Sequence, residues 1–310
     1  MFDMVGIGNP VYDTIVTPLS KTDGRVLSGC STNACLAAKR LGSTRVGLIG
    51  SIGHDYAEKF KRDMTKYGIE ASVDSSSQET GGFHLIYDVK GDRTLDVLGI
   101  AGKISVKNIP EEFLQTRFFL VGPIMGEVDL ELIRFLRSST SGRIFLDPQG
   151  LIRLLGADNR VIHQCNQVEF GKIVKLVDFV KPNESEFETI TGEKDSILAL
   201  KRLREMGAAV PIVTLAERGS ILLDGNTRYR IPAFSTRAID PTGAGDVYGG
   251  SFVTEFMRGG KIVDAALYAS AAASLMVEQV GPDFQMDPKV VLQRRDSIRN
   301  QLVVEAATNK

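Results

Sequence analysis

A three-layer α/β/α fold, built on a doubly wound and mostly parallel sheet with a small antiparallel sheet as a lid, is predicted by three features of this sequence. Short apolar runs alternate with amphipathic stretches along most of the 310 residues. The apolar runs lack the in–out alternation of a one-sided strand, so both faces of their sheet are covered. Two hairpin-like segments near the N-terminus break this rhythm and do not easily join a parallel sheet.

The runs Met4–Gly8, Val46–Ile49, Phe118–Val121, Ile144–Leu146, Phe179–Val180 and Ile212–Leu215 read as buried strands. Between them, Ala57–Tyr67, Asp129–Arg137, Ser196–Met206 and Ala265–Val277 read as helices. The first hairpin falls within 10–27, where Lys21-Thr22-Asp23-Gly24 supplies a turn, and the second within 83–98, turning at Lys90-Gly91-Asp92. Joined as one small sheet over the edge of the main sheet, they form the lid. No repeat and no linker divides the chain, so 1–310 reads as one domain.

Composition narrows the function. The chain is 43% hydrophobic and 24% charged, ordinary values for a globular protein, with a formal net charge of −1. That balance gives no electrostatic case for nucleic acid or an anionic membrane. No apolar run has the length of a membrane span and no signal-peptide pattern opens the sequence, which predicts a cytoplasmic protein. Cys30, Cys35 and Cys165 are too few for a disulfide framework and, like the scattered His54, His84 and His163, lack metal-site spacing.

Two glycine-rich stretches follow strands. Gly6-Ile7-Gly8-Asn9-Pro10-Val11 lacks the third glycine of a dinucleotide fingerprint and runs on as strand, which argues against a nicotinamide dehydrogenase. No Walker-type phosphate loop occurs. Asp240-Pro241-Thr242-Gly243-Ala244-Gly245-Asp246 is more informative, because an amphipathic helix continues from Asp246 to Arg258. Small residues at a helix start let bare amides approach an anion, and the dipole there favours negative charge. Asp246 then stands in the first turn beside that anion. Capping alone also places Asp and Gly at helix starts, but here an acid follows the cradle directly and a second acid, Asp240, precedes it.

Ser28-Gly29-Cys30-Ser31-Thr32-Asn33 opens a helix predicted over Ala34–Leu41, and puts the Asn33 amide where a polyhydroxy ligand can meet both its donor and its acceptor. Asn183 and Glu186 open another helix on one face, with metal or phosphate contact and simple capping as the two readings. Asp147-Pro148-Gln149-Gly150, with Arg153 beyond, and Gly122–Glu127 end two further strands; their Gln149 and Glu127 offer polar contacts to an acceptor, against a reading of turn chemistry alone.

Together and in this order, these segments resemble the PfkB, or ribokinase-like, carbohydrate kinases over nearly the whole chain. Asp240–Asp246 looks like that family's C-terminal signature, and Gly29–Asn33 through Gly42 and Gly53 like its N-terminal one. The resemblance implies a ribokinase-like fold, ATP with Mg²⁺, and phosphoryl transfer to a hydroxyl beneath a closing lid. It implies Asp246 as the base and the amides of Gly243, Ala244 and Gly245 as the anion hole. Asp13, Gly29 and Asn33 match acceptor contacts; Asn183 and Glu186 match a motif associated with Mg²⁺ and phosphate. Thr214 and Gly219 match the nucleotide loop, Ser270 lies where some sugar kinases carry Asn beside adenine, and Asp240 resembles a residue near a monovalent-cation site, K⁺ in the first instance. Ser28, Ala216 and Ser251 depart from the usual glycine or small residue at their positions.

Asp13 and Asn33 suit adjacent hydroxyls, so a sugar or cyclitol is the expected acceptor. The alternatives are a nucleoside, with Phe83 and Tyr12 as a slot for the base, and a non-catalytic sensor on the same fold. The lid hairpins leave an exposed edge that predicts a homodimer. The helix start at Asp246 is expected to favour its ionised form.

Overall fold

The structure, a computed structural model, describes residues 1–88 and 93–307. Among these residues, ten strands form one sheet. Its parallel part runs, in spatial order, β5 (Glu70–Ser77), β4 (Val46–Gly53), β1 (Phe2–Ile7), β8 (Thr116–Val121), β9 (Arg143–Leu146), β12 (Phe179–Val180) and β13 (Val210–Thr214). Antiparallel β14 (Ser220–Asp224), β15 (Thr227–Ile231) and β16 (Val303–Ala306) extend the far edge.

Helices cover both faces, as the doubly apolar strands require. One face carries α1 (Cys30–Arg40), α2 (Ala57–Tyr67), α8 (Ala244–Met257), α9 (Ile262–Met276) and α10 (Pro288–Ile298). The other carries α3 (Glu111–Leu114), α4 (Leu130–Ser139), α5 (Gln167–Val174), α6 (Glu184–Thr191) and α7 (Ser196–Met206). The central strands feed both cores: Phe118 and Leu120 of β8 enter the first, while Phe119 and Val121 enter the second.

From β1 the chain moves one way to β4 and β5, then returns to the other side of β1 for β8, β9, β12 and β13. This reversal opens a crevice at the carboxyl ends of the strands, where ligands of such sheets bind. The loops after β1, β8, β9, β12 and β13 all emerge there.

The lid comprises β2 (Val11–Val16), β3 (Val26–Ser28), β6 (Gly82–Tyr87) and β7 (Arg93–Gly99), in the order β3-β2-β6-β7. Each hairpin is antiparallel as expected, but β2 and β6 pair parallel where the hairpins meet. The reason is topological: β2 follows β1 and β6 follows β5, two strands of the main sheet that point the same way. The Lys90-Gly91-Asp92 turn lies outside the described residues. A further hairpin, β10 (Arg153–Leu155) and β11 (Val161–His163), joins the lid. The Val97 amide donates to the Asn159 carbonyl at 2.8 Å, and Arg160 Nε meets Asp96 Oδ1 at 3.0 Å.

Two helix starts differ from the sequence expectation. Helix α1 begins at Cys30 rather than Ala34, because Gly29 at φ 112° takes the cap position itself. Helix α8 begins at Ala244 rather than Asp246, with Gly243 at φ 79° before it. Among the described residues, no helix is long and apolar enough to cross a membrane.

Candidate active site

No side chain caps the start of α8, so its first amides look to the crevice for partners. The Ala244 amide makes only a long bond of 3.3 Å, to the Pro241 carbonyl. Asp246 is the third residue of this helix and only half-buried. Its Oδ2 accepts from Asn33 Nδ2 at 2.9 Å, and Gln149 Nε2 lies 3.5 Å from its Oδ1. Residues from the start of α1, the turn after β9 and the start of α8 thus meet at one carboxylate. Burial, and then the negative Asp147 nearby, raise the Asp246 pKa, partly offset by Asn33 and Lys181. The direction is opposite to the one expected from the helix start and makes Asp246 the stronger base.

Beneath this helix start lies a pair that sequence reasoning missed. Lys181 Nζ meets Asp147 Oδ2 at 2.8 Å, with the two side chains 3% and 5% exposed. A methyl group on Gly245 would sit 3.4 Å from that ammonium. Burial works against the Lys181 charge, but Asp147 and Glu186 outweigh it and hold the group protonated. A lysine closing an apolar buried strand was the available signal, since burying it demands an acidic partner. Cys30 Sγ and carboxylate oxygens of Asp147 and Asp246 lie within 4.8 Å of one another. Burial pushes the Cys30 thiol well up, which keeps it neutral.

Asn183 and Glu186 form a reciprocal capping box: Asn183 Oδ1 accepts from the Glu186 amide at 3.0 Å, and Glu186 Oε2 from the Asn183 amide at 2.9 Å. Burial and Asp147 raise the Glu186 pKa. Thr214 bridges to Asn183, and Gly219 closes the loop after β13 at φ 84°, where a Cβ would strike the Ile231 carbonyl at 2.0 Å. Ser270, on α9, donates to the Pro232 carbonyl at 2.7 Å. Asp240 is fully buried; its Oδ1 accepts from the Thr242 amide at 2.9 Å, while Oδ2 has no partner.

On the lid side, Asp13 is buried and accepts from the Phe83 amide at 2.7 Å. Burial pushes its carboxyl up to about 6, against the pull of Ser28, the Phe83 amide and Arg25. Gly29 lets the chain pass close to Asn9, whose carbonyl a Cβ would meet at 2.9 Å. Two expected contacts are engaged elsewhere. The Glu127 carboxylate is buried and already accepts from the amides of Asn9, Ile124 and Met125. Tyr12 is fully buried, its hydroxyl donating to Asp63 at 2.6 Å and its ring against Tyr56. Arg93 and Arg153 complete the surroundings: burial and then Arg93 lower the Arg153 pKa, against the attraction of Glu186, Asp147 and Asp246.

A doubly wound sheet with a lid, a bare helix start and a carboxylate at its switch point defines a phosphotransferase that acts on a hydroxyl acceptor. Residues 156–289 match the model of the pfkB family carbohydrate kinases. It is 29% identical over 265 residues to a cytidine kinase of Thermococcus kodakarensis, covering 84% of this chain and 90% of that one. A ribokinase of Haemophilus influenzae is 25% identical over 268 residues, covering 82% and 81%. Among solved structures, a pyrophosphate-dependent kinase of the ribokinase family, complexed with a pyrophosphate analogue and myo-inositol, shares the fold with a TM-score of 0.78 at 21% identity. That alignment covers 94% of this chain and 99% of that one.

Proposed function

We propose that this single-domain kinase transfers the γ-phosphoryl group of ATP to a hydroxyl of a sugar or cyclitol, with Asp246 as base and the amides of Gly243, Ala244 and Gly245 as anion hole. The observation that carries this reading is the Asp246 carboxylate, held by Asn33 and Gln149 beside an uncapped helix start. The acceptor hydroxyl is oriented by Asp13, Asn33 and Gln149, Gly29 allowing the close approach, and gives its proton to Asp246 as its oxygen bonds phosphorus. A loose transition state needs positioning and charge neutralisation more than a strong base, so the fixed amides and the Lys181 ammonium carry most of the stabilisation.

ATP supplies the phosphoryl group when bound, and Mg²⁺ neutralises its charge. The residues present fit both. Glu186 and Asn183 offer hard oxygen donors at the start of α6 for Mg²⁺ or its waters, and Thr214, Gly219 and Ser270 line the nucleotide side. The unpartnered buried Oδ2 of Asp240 fits a monovalent cation such as K⁺. Lid closure excludes water, which otherwise accepts the phosphoryl group. The apolar Ile86 and Leu98, 40% and 41% exposed on the lid, fit a homodimer surface.

The similarity to a cytidine kinase, with buried Phe83 on the lid, favours a nucleoside as the second reading. A screen of ATP consumption with Mg²⁺ across pentoses, hexoses, inositols and nucleosides, run in K⁺ and in Na⁺, tests all of this. Stimulation by a polyol is the expected result. Stimulation by nucleosides alone selects the second reading, and silence throughout leaves a sensor on the kinase fold.

A further inference from the structure

The lid is tied at two points to the loop that leads into α8. Thr17 stands just beyond β2, and Tyr87 closes β6. Those strands pair parallel with Val16 opposite Ile86, so Thr17 and Tyr87 follow that pair at the same end of the lid. Both side chains are buried. Thr17 Oγ1 donates to the Ile239 carbonyl at 3.0 Å; the Ser20 carbonyl, at 3.4 Å, is the weaker acceptor for its one proton. The same oxygen accepts from the amides of Leu19 and Ser20 at 3.2 and 2.9 Å, which fixes it within the turn of the first hairpin. The Tyr87 hydroxyl accepts from Thr242 Oγ1 at 3.0 Å in a buried contact, and from Arg93 at a longer 3.3 Å. Ile239 and Thr242 bracket Asp240, and the loop is anchored on its other side. The amides of Ile239 and Asp240 both donate to the carbonyl of Val277, at the end of α9, at 2.6 and 3.1 Å. Asp240 in turn holds the Thr242 amide at 2.9 Å. Gly243 follows directly, and with it the uncapped start of α8.

The lid sheet does not need these bonds, because its strands are joined by their own ladders. Both cross from the lid to the cradle loop and are lost whenever the lid lifts away. We propose that Thr17 and Tyr87 are positioning residues that latch the closed lid to residues 239–242, so that the anion cradle at the start of α8 takes its working geometry only beneath a closed lid. The latch rests on the kinase reading for its purpose and deepens it. A cradle that relaxes when the lid opens stabilises little charge on a donor exposed to water. One that tightens on closure does so where the acceptor hydroxyl is already enclosed. The bonds are neutral, so each changes the balance by a modest factor rather than acting as an all-or-none switch.

Hydrogen exchange of the intact protein, without nucleotide or acceptor, reads this coupling. In Tyr87→Phe and in Thr17→Val, the amides of residues 239–246 are expected to exchange ~2–10-fold faster than in the parent, the worth of one neutral hydrogen bond. Those of β8, in the core, are expected to stay as protected as before. Thr17→Ser keeps the hydroxyl and is expected to exchange like the parent. In kinetics, Tyr87→Phe and Thr17→Val are expected to lose kcat by a similar factor with KM for ATP nearly unchanged, and Thr17→Ser to retain it. Faster exchange in lid residues 11–17 and 82–87 without any change in 239–246 marks contacts that serve the lid alone, and overturns the latch. So does Thr17→Ser behaving as Thr17→Val, or a rise spread evenly over β8 and the loop. Exchange needs no turnover, so a chain that phosphorylates nothing yet shows the localised change keeps the latch and loses the kinase reading.

Discussion

Asp13 shows how one residue sets function against stability. Its carboxyl is buried and titrates near 6, above the ordinary aspartate value near 4, so folding disfavours the charged form that hydroxyls need. Between those two values the folded chain holds a proton that the unfolded chain has lost. Stability from this group therefore falls as pH rises through that window and stays low at neutral pH. Asp13→Asn keeps an oxygen for the Phe83 amide and removes the penalty. It is expected to raise Tm at pH 7, worth about 1–3 kcal/mol, with the gain fading as pH falls from 6 to 4, while KM for the acceptor rises. Scanning calorimetry at several pH values, beside kinetics, checks both signs. Lys181 behaves oppositely. Lys181→Met leaves Asp147 buried and unpaired, at a cost of about 3–5 kcal/mol, and Asp147→Asn in the same chain is expected to restore part of it, as urea unfolding will read. Asp246 and Asn33 were legible in the sequence because each sits in a short motif whose glycines announce a helix start. Lys181 was not assigned, because its significance lies in a partner remote in the chain, the acid it finds after β9.

At the scale of elements, α8 is positioned by how closely α1 can approach it. A methyl group on Gly250 would lie 2.3 Å from the Ala34 carbonyl, a backbone atom that cannot swing aside. Alanine is the better helix former by about 1 kcal/mol, but overpacking of this kind costs about 1–3 kcal/mol or more, so the clash wins. Gly250→Ala is expected to lower Tm and, by shifting the start of α8 against Asn33, to lower kcat as well; unchanged melting and turnover contradict the packing argument. Six of the seven strands of the parallel layer were readable from apolar runs; β5 was not, because its Glu70–Ser77 stretch is mostly polar. The parallel joint between β2 and β6 was not, since it depends on where β1 and β5 end in space. Hairpin β10–β11 escaped for a similar reason: its three-residue strands carry no local pattern, and its place is fixed by Asp96 and Asn159 across the lid.

On the scale of the whole molecule, the lid has two faces with separate tasks. Phe83, Leu85 and Tyr87 turn inward over the crevice, while Ile86 remains exposed. Light scattering is expected to give twice the chain mass, and Ile86→Asp to give one; a parent that stays monomeric at every concentration removes the dimer. The crevice itself gathers loops from five parallel strands, the start of α8 and the lid around one carboxylate. Single-turnover transfer from ATP to the preferred acceptor, compared between the parent and Asp246→Asn, tests that arrangement most directly. A loss in rate of at least ~10²-fold with acceptor affinity nearly unchanged is the predicted result. Transfer at close to the parent rate in that variant would contradict it.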